Sequence, residues 1–300
     1  MTVPGPPTAA AWLARGTRVR ALGHQLFRIA EGASAGTPIV LVHGFPTCTY
    51  DFHACLPLLA RRRRVLAIDL LGYGGSDKPW PHSYTIAEQT DLLEAWLALE
   101  GVARAHVVAH DMGTTVVQEL LARRREGRSG VAPSSVLLLN GGIVVEKIRP
   151  ILAQKLLRSR LVGPLAARLI GRRAFGRSLD GIAGKPQDPR ELDALFALLT
   201  RDGGRRVYSG LIRYMDERVR HRLRWRGALL ETPTPLRLVW GDRDPISVWG
   251  MVAEVSAHRP ATDVVRLEGT GHYPQLEEPE RVAAAALDWA DRHDTARAPA

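Results

Sequence analysis

The stretch Val107-Val108-Ala109-His110-Asp111-Met112-Gly113-Thr114 decides the reading of this chain. Its first residues are apolar and make a short strand, and residues 114–125 carry a helical pattern. Between the two, Ala109 and Gly113 place a small residue two positions before and two positions after Asp111. That spacing fits a sharp strand-to-helix turn, where bulk would crowd the backbone and the central side chain is thrust above the sheet. A carboxylate there is favoured by the helix N-terminus, and it is a nucleophile that needs no base to activate it. The competing reading is that Asp111 caps the helix, as a strand-terminal aspartate commonly does.

Working outward, short apolar runs alternate with longer amphipathic stretches. Residues 17–22 and 25–30 read as a leading hairpin turned at Gly23-His24. Residues 38–43, 64–70, 106–109, 135–140, 236–240 and 263–267 read as further strands, several apolar throughout, as strands buried on both faces are. Helical patterns cover 85–100, 114–125 and 279–292. This alternation predicts an α/β fold, a mostly parallel eight-stranded sheet flanked by helices. The rhythm breaks after the sixth strand, where 151–161, 165–170, 191–200 and 207–223 are helical in texture. The expected organisation is an α/β core over 12–144 and 231–293, a helical lid over 145–230, and flexible ends at 1–11 and 294–300.

The charge follows the same division. The 300 residues carry 41 Lys and Arg against 31 Asp and Glu, a net of +10. Residues 145–230 hold 20 basic and 8 acidic residues, so the lid is +12 and the rest −2. A basic segment suggests nucleic acid, an anionic membrane or an acidic ligand, against the plainer reading of a solvated arginine face. No nucleic-acid motif accompanies it, so that partner is not expected. What remains is peripheral contact of the lid with an anionic membrane, or steering of an acidic or amphiphilic substrate. Cys48 and Cys55 are too few for a disulfide framework or a four-thiolate zinc site and fit core packing. No run reaches the ~18 apolar residues of a membrane span, and no basic segment opens the chain ahead of an apolar one. A cytoplasmic location is expected. Arg61 to Arg64 read as a solvated helix end, and neither a metal nor a cofactor is expected, since His82 and His110 show no ligand spacing.

In an open parallel sheet, ligands bind beyond the carboxyl ends of the strands. Polar and glycine residues gather there: His43-Gly44-Phe45-Pro46, Asp69 to Ser76, His110-Asp111, Asp242-Arg243-Asp244, and Gly271-His272. An aspartate nucleophile forms an ester that must then be hydrolysed, and His272 is the candidate base. Asp244 would orient the imidazole, in the chain order nucleophile, acid, histidine. Asp242, two residues away, shares its face in an extended chain, so alternation does not separate them. Asp244 is preferred because it lies further past the strand end. The backbone N–H groups of Phe45 and Met112 are the candidate oxyanion hole, with Gly44, Pro46 and His43 supporting that loop. His110 is a further packing or hydrogen-bonding candidate.

These residues, from His43-Gly44-Phe45-Pro46 and the 69–79 loop to His110-Asp111 and Gly271-His272, resemble the α/β-hydrolase superfamily in its epoxide hydrolase and haloalkane dehalogenase branch. The likeness runs from about residue 12 to 290, lid included. It implies an α/β-hydrolase fold with the lid inserted after the sixth strand, Asp111, Asp244 and His272 as nucleophile, acid and base, and a cis peptide at Phe45-Pro46. Dehalogenases of this branch hold the halide with a Trp directly after the nucleophile and an Asn or Trp elsewhere. Met112 and Phe45 stand here instead, which disfavours halide displacement. Epoxide opening needs an acid, commonly a pair of lid tyrosines, and the lid offers Tyr208 and Tyr214. On one helix over 207–223 they would point about 120° apart, and Tyr214 is the preferred acid. The expected protein is therefore a hydrolase, epoxide hydrolase-like, acting on a small hydrophobic or amphiphilic substrate. The alternatives are a dehalogenase, an esterase or lactonase, or a receptor that uses the pocket without turnover.

Overall fold

Eight strands hydrogen-bond into one sheet in the computed structural model, which describes residues 5–33 and 36–294. They are β1 (Thr17–Ala21), β2 (His24–Glu31), β3 (Ile39–Val42), β4 (Val65–Ile68), β5 (Arg104–Ala109), β6 (Ala132–Leu139), β7 (Leu236–Gly241) and β8 (Asp263–Leu267). Their order is β1-β2-β4-β3-β5-β6-β7-β8. β1 and β2 pair antiparallel, β2 meets β4 antiparallel, and every other pairing is parallel. Every residue of β3 and β4 is buried, which is why both read as unbroken apolar runs. The hairpin turns at Leu22 and Gly23, both at positive φ, one residue earlier than the sequence suggested. After β3 the chain crosses to β4 on one side and then to β5 on the other. The loops following β3 and β5 therefore face each other at the reversal of strand order, where open α/β sheets hold their ligands.

Between β6 and β7 the described residues form α-helices at Leu152–Arg158, Gly163–Leu169, Arg172–Asp180, Pro189–Thr200, Gly204–Leu211 and Tyr214–Glu231. The helix at Arg172–Asp180 had no counterpart in the sequence reading. The expected single helix over 207–223 is two: Arg213 N–H reaches Gly210 O and Met215 N–H reaches Ile212 O, closing a tight turn between them. The break falls at Ile212-Arg213, between the helices Gly204–Leu211 and Tyr214–Glu231.

Three other expectations are corrected. Within the expected loose segment 1–11, residues Ala9–Leu13 begin a helix whose first turn is capped by Thr8, and Trp12 is fully buried. Residues 1–4 lie outside the described residues, as do 295–300. Asp294 is described, ends the helix Pro279–Asp294 and accepts from Arg63 at 2.5 Å and from His106 at 3.0 Å. Arg63 is accordingly no solvated helix end: it is buried, and it also pairs with Asp291 at 2.6 Å. Cys48 and Cys55 are free and buried.

The inserted helical segment lies on the core along the helices Met112–Arg125 and Tyr214–Glu231. Glu119 of the core accepts from Arg123 Nε at 2.8 Å, from Trp225 Nε1 at 2.7 Å and from Arg224. Arg224 also reaches Glu126 at 2.7 Å, and Arg226 reaches Glu254 at 2.6 Å. Part of the insertion's positive charge is thus matched by acids of the core. Among the described residues no helix is long and apolar enough to cross a membrane.

Candidate active site

Asp111 follows β5 with φ 42° and ψ −109°, a conformation that costs an L-residue on the order of 1–3 kcal/mol. The neighbours explain why small residues surround it. A Cβ at Gly113 would lie 2.5 Å from the Val42 carbonyl, and one at Gly44 would lie 2.5 Å from the Asp111 Cβ. The carboxylate makes no capping bond to the helix Met112–Arg125 that it precedes. Its Oδ2 accepts from the Phe45 N–H at 3.1 Å and from the Tyr214 hydroxyl at 3.4 Å. Its Oδ1 lies 3.5 Å from Arg218 Nη2, which also donates to the Asp111 main-chain oxygen at 2.9 Å. The strained aspartate therefore points into a set of donors rather than along its own helix.

His272 arrives from the loop after β8. Its Nδ1 shares a 2.7 Å hydrogen bond with Asp244 Oδ2, and its Nε2 makes none among the described residues. Asp244 is held in turn by the N–H groups of Ile246 and Ser247 on Oδ1, at 2.7 and 3.0 Å, and by Asn140 Nδ2 on Oδ2 at 2.9 Å. Asp242 turns the other way, pairing with Arg266 at 2.8 Å and accepting from Gly269 N–H at 2.9 Å. Burial opposes charge on both members of the His272–Asp244 pair. Their mutual attraction outweighs it, raising the pKa of His272 above the ordinary histidine value and lowering that of Asp244. The Asp111 carboxylate adds to the rise at His272, and Arg218 subtracts from it.

The remaining sequence candidates surround this group. His43 accepts from Leu70 N–H at Nε2 and donates from Nδ1 to Gly44 O, both at 2.9 Å, so a neutral ring ties the Gly44-Phe45 loop to the strand end of β4. Burial lowers its pKa, in keeping with that neutral form. The Phe45-Pro46 peptide is cis. Met112 begins the helix after Asp111, and its sulfur accepts from the Tyr73 hydroxyl at 3.2 Å. His110 is pushed down to about 3, first by burial and then by His272, and its Nε2 bonds the His272 carbonyl at 2.8 Å. It supports the loop carrying His272.

Both lid tyrosines reach the site, which a continuous helix would not have allowed. Tyr208 stacks on Phe45 with ring centroids 4.9 Å apart, and Tyr214 sits 5.9 Å from the same ring. Burial raises both phenols above their ordinary pKa, so each stays a hydrogen-bond donor. The sequence reading missed Asn140, at the end of β6, and Arg218. The latter is 2% exposed, donates to Thr115 at 2.7 Å and lies over the Tyr214 ring at 4.6 Å. Nothing in the sequence distinguishes it from the other basic residues of the lid. Asp111, Asp244, His272 and both tyrosines are buried.

Among the described residues, one group gathers three atoms of metal-ligating type within 4.8 Å, from His24, His82 and Glu88. Chain spacing hid it, because the three come from β2, a loop and the helix Ile86–Leu99. His82 Nε2 lies 2.7 and 2.8 Å from the two Glu88 oxygens, which accounts for the cluster as a hydrogen-bonded pair.

Comparison with known proteins agrees with this architecture. LipZ of Mycobacterium tuberculosis is 41% identical over 263 residues, covering 86% of this chain and 90% of that protein. The mouse mesoderm-specific transcript protein is 35% identical over 284 residues, covering 91% and 85%. The crystal structure of the haloalkane dehalogenase DbeA from Bradyrhizobium elkani superposes with a TM-score of 0.80 at 23% identity, over 94% of this chain and 99% of that one, a likeness of fold. Residues 39–285 match the alpha/beta hydrolase family, and the chain belongs to it.

Proposed function

We propose that this hydrolase works through Asp111 as nucleophile, forming and then hydrolysing a covalent ester, and that its substrates are epoxides. The observation that carries the reading is the Asp111 carboxylate, held in a strained turn by the Phe45 N–H rather than capping its helix. Oδ1 attacks a ring carbon of the epoxide, and the C–O bond breaks with its electron pair going to oxygen. Tyr214, assisted by Tyr208, gives that oxygen a proton; its contact with Oδ2 is exchanged for one with the substrate. His272 Nε2 then removes a proton from water, and the hydroxide adds to the ester carbonyl. Charge on the former Oδ2 is met by the N–H groups of Phe45 and Met112, each such donor typically being worth ~3 kcal/mol. Collapse expels the second diol oxygen, which takes the proton from His272. The proton left on the Asp111 carboxyl returns to the tyrosinate. Asp244 fixes the tautomer of His272 and stabilises its charged form.

Arg218 is a positioning residue here: it anchors the Asp111 main chain and carboxylate while the ester forms. The test is a single turnover in heavy-oxygen water, with mass spectrometry of the peptide holding Asp111. Heavy oxygen in that carboxylate is the expected result, and its absence with a substrate that turns over would overturn the mechanism. A panel of epoxides, haloalkanes and aryl esters tests the substrate class, with turnover expected for epoxides. Binding across the panel without turnover, unchanged in His272→Ala, would mean a receptor.

A further inference from the structure

Residues 147–179 of the lid contain nine Lys and Arg and not one Asp or Glu. Lys147, Arg158 and Arg172 find carboxylates in Glu254, Asp216 and Asp193. Arg149, Lys155, Arg160, Arg168, Arg173 and Arg177 have no acidic partner among the described residues. The same segment holds Leu152, Leu156, Leu161, Val162, Leu165 and Leu169, all between 44% and 91% exposed. These are six of the twelve large exposed hydrophobic side chains among the described residues, gathered within eighteen positions. They lie on the helices Leu152–Arg158 and Gly163–Leu169 and the turn between them, and Leu161, Leu165 and Leu169 recur every four residues. The inner sides of both helices are already satisfied, since Leu157, Gly163 and Ala167 are buried. A second apolar face therefore looks outward. Trp80, itself 44% exposed, shares a groove with Arg160 and Pro164 at its edge.

Scattered exposed leucines need no explanation, but a contiguous group of this kind marks a contact surface. We propose that this face of the lid docks on an anionic lipid surface. The leucines enter the upper acyl region, and the unpaired cations sit among the headgroups, as amphipathic helices lying in a bilayer interface do. Charge chooses this occupant over a second copy of the chain. A two-fold contact would set Lys155, Arg160 and Arg168, carried by the same two helices and the turn between them, against the same cations of its partner. Docking places the gate over Asp111 at the membrane, and it holds whether or not Asp111 reacts as proposed.

The test is co-sedimentation of the full chain with vesicles of phosphatidylcholine, alone or mixed with phosphatidylglycerol. Strong binding is expected only to the mixed vesicles, weakening as salt shortens the screening length from about 10 Å at 0.1 M to about 3 Å at 1 M. The variants Leu161→Glu/Leu165→Glu/Leu169→Glu and Arg160→Glu/Arg168→Glu should each bind at least roughly tenfold more weakly. Their circular dichroism and Tm should be unchanged, because these side chains face water. Equal binding to both vesicle types, insensitivity to salt, or full binding by the leucine variant would overturn the proposal. So would a dimer in sedimentation velocity, dissolved by the same leucine substitutions without any vesicle binding.

Discussion

His272 sets the pH dependence of the proposed reaction at the scale of single residues. Its pKa is raised above 6.5, so the imidazolium persists to higher pH and the base form is scarce on the acid side. When ester hydrolysis limits turnover, kcat should fall as pH drops through a limb lying above 6.5. Two substitutions move that limb in opposite directions. Asp244→Asn removes the carboxylate that raises the pKa and should lower the limb, whereas Arg218→Met removes a cation that opposes it and should raise it. A pH profile of single-turnover ester hydrolysis reads both shifts. An unmoved limb in both variants would mean that another group titrates. The tyrosines give a second expectation. Tyr208→Phe and Tyr214→Phe should each slow ester formation, and the double variant should lose a factor within the 10²–10⁴ range of a general acid, with little change in the hydrolysis step. Asp244 and Asp242 show how far the sequence reached. Alternation alone puts both on one face of an extended strand end, and the position further along the loop favours Asp244; in the structure Asp244 meets His272 at 2.7 Å while Asp242 turns to Arg266.

At the scale of elements, the site depends on two close approaches. The Gly44 loop passes so near the Asp111 turn that Gly44→Ala puts a methyl group 2.5 Å from the Asp111 Cβ and 2.9 Å from the His110 carbonyl. This should cost about 1–3 kcal/mol of stability by overpacking. It should also lower kcat/KM more than KM alone explains, because loop and nucleophile separate; denaturant unfolding and steady-state kinetics measure the two effects. The other approach is the seam between lid and core. Glu119→Ala leaves Arg123, Arg224 and the Trp225 N–H without their shared acceptor. A loss of about 3 kcal/mol is expected in denaturant unfolding, the size seen when one partner of a buried ion pair is removed. The tyrosine pair was hidden for a related reason. Helical periodicity over 207–223 continues smoothly through Gly210, and only the closed turn at Ile212-Arg213 brings Tyr208 and Tyr214 to one side.

Over the whole molecule, charge is divided between a basic helical insertion and a slightly acidic remainder, and several of the acids that join elements have lowered pKa values. Glu126 is brought to about 2, chiefly by hydrogen bonds from Arg224, and Asp294 to about 2 by Arg63 and His106 acting against burial. A carboxylate with a depressed folded pKa stabilises the protein fully above its unfolded value and loses that contribution as pH falls through the folded value. The contribution of these two carboxylates should therefore be full above about pH 5 and lost toward pH 2, adding to a decline that begins near pH 6.5, where the unfolded chain protonates histidines such as His43 and His110 that burial keeps neutral. Urea unfolding across that range measures it, and an unchanged midpoint would show these pairs to contribute nothing. The sequence by itself determined the sheet, its eight strands, the inserted helical segment and the residues standing at the strand ends. Those follow from periodicity and turn chemistry, which are properties of neighbours along the chain. Only the tertiary structure decided that Asp242 turns to Arg266 while Asp244 meets His272, that Arg218 among so many basic residues reaches Asp111, and that five leucines and a valine of the inserted helices face water. Each is a relation between surfaces of separate elements, and the hydrophobic pattern of one element says that a face is apolar without saying what covers it.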